Sequence, residues 1–139
     1  RLNSVEAHMQ LGFKYFVNRP APVSDMSAPM AYDISYVASL SHNDFALTLG
    51  LEVPIATVCP CSKAISKYGA HNQRVMVRVW VNLDTDTPVW PVALIQAIED
   101  CSSCPVYPLL KRQDEKYVTE RGYENAKFVE DVARELTLL

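Results

Sequence analysis

An α+β fold, an antiparallel sheet with helices covering one face, is what the succession of hydrophobic periods along this chain predicts. Three observations carry it. Apolar and polar residues alternate at period two through much of the first 81 residues, stretches with helical spacing come only afterwards, and no linker or repeat divides the chain in two. With 139 residues, 49% of them apolar, the chain has enough material to bury a real core as a single domain.

The elements follow in order. From Ala7 to Phe16, Met9, Leu11, Phe13 and Tyr15 alternate with Gln10, Gly12 and Lys14, the pattern of a strand with one buried face. Prolines at 20, 22 and 29 interrupt the next stretch, and Arg19–Pro22 and Ser24–Pro29 are read as loop because proline donates nothing to a ladder. Met30, Tyr32, Ile34, Tyr36, Ala38 and Leu40 resume the alternation. Ser41–Asp44 supplies turn formers, and Phe45, Leu47, Leu49, Leu51 and Val53 return with the same period, which makes a long hairpin. Val75, Val77, Val79 and Val81 form a fourth strand. Pro91 opens a helix with Leu94, Ile95, Ile98 and Cys101 on one stripe, ending near Cys104-Pro105. Asn125 is expected to cap a second helix with Phe128, Val129, Val132 and Leu136 on its inner face. That pattern runs to the last residue, so a longer parent chain is expected.

Composition excludes several function classes. A net charge of −3 without any block of Lys and Arg is not the footprint of a nucleic-acid binder. No apolar run approaches the roughly 20 residues of a membrane helix, and Arg1–Glu6 lacks the layout of a secretion signal, so a cytoplasmic location is expected. Four cysteines fall in two close pairs, Cys59/Cys61 and Cys101/Cys104. In a chain with this much core they are expected to be reduced, as metal ligands or packed thiols.

Chemistry concentrates between Cys59 and Arg74. Cys-Pro-Cys-Ser-Lys is followed by Tyr-Gly-Ala-His-Asn-Gln-Arg, which puts two thiols, an imidazole and several cations into one segment. A thiolate and an imidazole suit zinc or a similar first-row ion, and Gly69 lets the chain turn back so that Cys59 and His71 reach one centre. Competing readings stand beside this one. Cys59 could be a packed thiol, both pairs could join in a four-cysteine structural zinc without catalysis, and Cys101-Ser-Ser-Cys104 has the spacing of a redox dithiol but no parallel βαβ pattern around it.

The run Cys59–Lys63, Ile65-Ser66 and Tyr68–Arg74 resembles the signature of the type IB GTP cyclohydrolases. Leu109–Arg112, Asp114–Glu120, Tyr123–Asn125 and Lys127–Asp131 resemble that family's second block at similar spacing. The resemblance implies a tunnelling-fold (T-fold) module, an antiparallel sheet of about four strands with two helices on one face, spanning residues 1–139 as part of a longer bimodular chain. It implies conversion of GTP to 7,8-dihydroneopterin triphosphate and formate, the entry to folate and pterin synthesis, in a homotetramer with sites at interfaces. Cys59, His71 and Glu115 would bind a divalent metal, Zn2+, Mn2+ or Fe2+, leaving a water position. The pKa of that water would fall to roughly 7, ready to attack C8 of the base. Glu130 would accept from N1–H and the exocyclic amine of guanine. Lys63, Arg74, Lys111 and Arg112 are the cations available for the triphosphate. Ala64 and Lys67 depart from the family pattern, and a related T-fold cyclohydrolase forming a cyclic phosphate is the neighbouring activity. Without the resemblance, Glu115 and Glu130 read as solvated helix residues.

Overall fold

Period-two patterning produces four long strands that pair consecutively and antiparallel. In the computed structural model, which describes residues 4–42, 44–84 and 86–138, these are β1 (Glu6–Pro20), β2 (Ser27–Ser41), β3 (Asp44–Val58) and β4 (Asn72–Leu83). A short helix α1 (Pro60–Ile65) lies between β3 and β4. Then follow α2 (Pro91–Asp100), a two-residue strand β5 (Cys104–Pro105) paired to β3, α3 (Arg112–Glu124) and α4 (Val129–Leu136). The α+β expectation holds, with an antiparallel sheet in the order β1-β2-β3-β4.

The core sits where helices cover β3. Leu49, Leu51, Val53 and Ile55, all on one face by alternation, are at most 2% exposed. They belong to one cluster with Tyr32 and Ile34 of β2, Val77 of β4, Ile95 and Ile98 of α2 and Val132 of α4. Each such side chain contributes roughly 1.5–3 kcal/mol by leaving water.

Several expectations need correction. Met9, Leu11 and Phe13 of β1 are exposed, and only Tyr15 and Val17 of that strand pack against the core. Alternation reports a strand, and whether its apolar face is buried depends on what lies over it. Ser27–Pro29, expected as loop, belongs to β2. Its ladder with β3 begins only at Asp33, so Pro29 has β1 on one side and no paired strand on the other. The turn between β2 and β3 passes through His42 at φ 54°, with Asn43 outside the described residues.

Among the described residues four helices are present where two were expected. α3 escapes a periodicity search because it is mostly charged, with Tyr117, Val118 and Tyr123 its only large apolar residues. Its Gly122 lets the helix lie close to the end of β3, since a Cβ there would come within 3.3 Å of Val58 Cγ2. α2 stops at Asp100 because Cys104-Pro105 pairs with β3 instead. Asn125 ends α3 rather than starting α4. Its amide bonds to Arg121 O, its side chain donates to Ser102 O and Ser103 O, and Phe128 occupies the N-cap of α4.

Candidate functional site

The core stripe changes character at one end of the sheet. On β3 the helix-facing positions run Val53, Ile55, Thr57 and then Cys59, and on β4 they run Val77, Val75, Gln73 and then His71. Thr57 is the cross-strand partner of Gln73. The Cys59 amide, donating to His71 O at 2.9 Å, carries the same register one step further. Cross-strand neighbours share a face. Cys59 and His71 are therefore brought together by continuing the ladder after the strands formally end.

A hydroxyl reinforces this junction. Ser62 Oγ donates to Cys59 O at 3.0 Å and accepts from the His71 amide at 2.8 Å. Gly69, at φ +71°, makes the return that the Cys59–His71 segment requires. The loop expected between the strands thus contains one short helix, α1, with Cys59 at its N-cap. The amide of Ser62, foremost, with the Ser62 hydroxyl and the Cys61 groups, favours the thiolate against the opposing effect of desolvation, so the Cys59 thiol is held below its ordinary range. Cys61, the second residue of α1, is exposed and lies outside the cleft.

The start of α4 closes the other side. Lys127 donates its amide to Val58 O at 3.1 Å, and its ammonium reaches Cys101 O and Glu135 at 3.1 and 2.6 Å. Together with Asn125 this ties residues 125–127 to the ends of β3 and α2. Phe128, Val129 and Glu130 then face Cys59 and His71 across a cleft of about 160 Å3, lined as well by Thr57, Gln73 and Lys127. Glu130 lies in the first turn of α4, where the helix dipole favours a carboxylate.

Three of the sequence-derived residues, Cys59, His71 and Glu130, therefore line one cleft, and the others do not. Glu115 is exposed on the first turn of α3. Lys111 and Arg112 sit at the start of the same helix. Arg74 lines a separate depression with Asn72, Tyr107 and Val118. Lys63 donates to Tyr123 O at 2.5 Å and lies 4.3 Å from the centre of that ring, which ties α1 to the end of α3. Thr57, Ser62, Gln73 and Lys127 were missed as site residues. For Gln73 the signal was present, since it stands two residues from His71 on a strand and must share its face.

A soft thiolate beside an imidazole suits a divalent ion of the zinc type, and the lowered Cys59 thiol favours the ligating form. Among the described residues no three His, Cys, Asp or Glu side chains converge as a complete metal cage. That holds for Cys59, His71 and Glu115, and equally for the four cysteines. Cys101 and Cys104 are buried, desolvation raises both thiols above their ordinary range, and Cys101 Sγ donates to Ala97 O.

Elsewhere two buried carboxylates are internally engaged. Asp114, fully buried, accepts from the amides of Val23, Ser24 and Lys111 and from the Ser24 hydroxyl at 2.6–2.8 Å. Burial alone would raise its pKa, but these donors outweigh burial and hold the carboxyl well below the usual range. Glu99 is buried against Arg19 and accepts from Tyr32 at 3.0 Å, and desolvation pushes it upward against the pull of Arg19.

Comparison with known proteins identifies the family. The family model described as type I GTP cyclohydrolase FolE2 matches residues 1–138. Proteins named GTP cyclohydrolase FolE2 from Citrifermentans bemidjiense and Geobacter sulfurreducens are 49% and 47% identical over 138 residues, 99% of this chain and 51% and 52% of theirs. GTP cyclohydrolase FolE2 2 from Dechloromonas aromatica is 43% identical over 136 residues, 98% of this chain and 50% of its own. The chain spans about half the length of the curated relatives it matches.

Proposed function

Because this chain belongs to the type I GTP cyclohydrolase FolE2 family, we propose that it forms the metal-binding and base-binding part of an enzyme that opens the guanine imidazole ring of GTP, releasing formate and 7,8-dihydroneopterin triphosphate for folate synthesis. The observation that supports this most is the shared cleft of Cys59, His71 and Glu130. A thiolate and an imidazole stand opposite a carboxylate whose oxygens suit the N1–H and amino edge of guanine.

Cys59 and His71 would hold a divalent ion, Zn2+, Mn2+ or Fe2+, with Glu115 as the proposed further ligand. Bound there, the ion would supply an activated water, its pKa lowered to about 7. The chain's own residues supply the rest. Ser62 fixes the two ligands relative to each other, Lys127 fixes the turn that carries Glu130, and Glu130 selects and orients the base. Lys111, Arg112, Arg74 and Lys63 remain the cations proposed for the triphosphate.

The cleft, about 160 Å3, is smaller than the roughly 300–1,000 Å3 that usually enclose a small ligand. It suits the base rather than a whole nucleotide, so other surfaces complete the site. A homotetramer with sites at interfaces fits this, and so do the exposed apolar side chains Met9, Leu11, Phe16 and Trp80 on the sheet. No helix among the described residues is long and apolar enough to cross a membrane, and the cytoplasm, where GTP is made and used, is the proposed location. The test is formate release from GTP by the complete protein supplied with each ion in turn. Release under at least one supports the reading, and none under any of them overturns it.

A further inference from the structure

We infer that Gln73 reads the O6 edge of the guanine base, completing the selection that Glu130 begins; this rests on the function proposed above. An ionised Glu130 offers acceptors only, so it recognises the N1–H and amino groups and leaves the adjoining O6 without a donor. A buried acceptor without a partner weakens binding, so the cleft needs a donor for it.

The first-turn amides of α4 have no side-chain cap, and among the side chains lining the cleft the donors narrow to one. The Thr57 hydroxyl donates to Gln73 O at 3.4 Å. The Lys127 ammonium is directed to Cys101 O and Glu135, away from the base position. His71 is assigned to the metal. Among the described residues the Gln73 carboxamide makes no side-chain hydrogen bond, while it lines the same cleft as Glu130. Its position is rigid, since its main chain lies in the β3–β4 ladder opposite Thr57. A carboxamide carries two donors and an acceptor, which also suits an edge where O6 and N7 are both acceptors.

The experiment measures GTP binding to the complete, metal-free protein by calorimetry, for the wild type, Gln73→Leu and Gln73→Glu. A second titration uses 6-thio-GTP, which keeps the N1–H and the amino group but has sulfur, a weak acceptor, in place of O6. Gln73 is exposed in a strand, and unchanged melting temperature verifies folding. The expected result is a roughly 10- to 100-fold weaker GTP affinity for Gln73→Leu, and a larger loss for Gln73→Glu, which offers acceptors alone. The analogue should bind wild type and Gln73→Leu within about twofold of each other. GTP affinity within twofold of wild type in Gln73→Leu, or equal losses for GTP and the analogue, overturns the role of Gln73. If Glu130→Gln still weakens GTP binding in that case, only the inference about Gln73 falls. Absence of GTP binding to wild type, together with absence of formate release, removes the proposed function itself.

Discussion

Two carboxylates in the first turns of two neighbouring helices face opposite fates. Asp114, near the start of α3, is fully buried and both of its oxygens are engaged by donors from Val23, Ser24 and Lys111. Glu130, near the start of α4, is exposed and opens onto the cleft shared with Cys59 and His71. Asp114 fastens the β1–β2 connection to α3 and has no capacity left for a ligand. Glu130 has all of its capacity left. The same chemical group thus builds the frame in one place and faces an opening in the other, and the difference lies in which donors the fold delivers to it.

Substitutions that divide frame from site test that contrast. The largest effect is expected for Cys59→Ala, which should reduce formate release from GTP to background while leaving the melting temperature close to wild type, as measured by calorimetry. Unfolding of that variant would place Cys59 in the frame. Glu130→Gln comes next. It should weaken GTP binding by roughly 10- to 100-fold, since one acceptor becomes a donor facing donors, with bound metal near normal. Loss of metal instead would make Glu130 a ligand.

Ser62→Ala should reduce Co2+ affinity by roughly tenfold through looser placement of Cys59 and His71. An unchanged affinity would show that the ladder alone holds them. Asp114→Asn belongs to the frame and has the smallest functional effect. Turnover per folded molecule should be unchanged, while the melting temperature falls by about 5 °C as one acceptor oxygen is lost. Because its folded pKa is depressed, the stability from Asp114 is present above its unfolded value near 4 and is lost as pH falls toward the folded value. The Asn variant should therefore show a shallower loss of stability below pH of about 4, read from acid unfolding curves.

The strands and the Cys59–His71 segment were legible in the sequence because alternation and ligand spacing are local signals. The junction of Cys59 with His71 was also within reach, as both sit at the ends of strands whose register a hairpin-like return fixes. What escaped was set by long-range contacts. α3 carries too few apolar residues to announce itself, and Asn125 looks like a helix start until Ser102 and Ser103 are seen to claim its side chain. Met9, Leu11 and Phe13 look like core until the helices are found to cover the other end of the sheet. Asp114 and Glu115, adjacent in sequence, could not be told apart by pattern, although one is fully buried and the other exposed.

The proposed function depends on Cys59 and His71 gripping a common ion. The direct measurement is the thiolate-to-metal charge-transfer absorption of the Co2+-loaded complete protein, recorded for wild type and for alanine variants at Cys59, His71, Cys101 and Cys104. The account predicts a band that disappears in Cys59→Ala, is lost or strongly altered in His71→Ala, and survives in Cys101→Ala and Cys104→Ala. A band that persists without Cys59, or that vanishes with Cys101 or Cys104 in a folded protein, would contradict it.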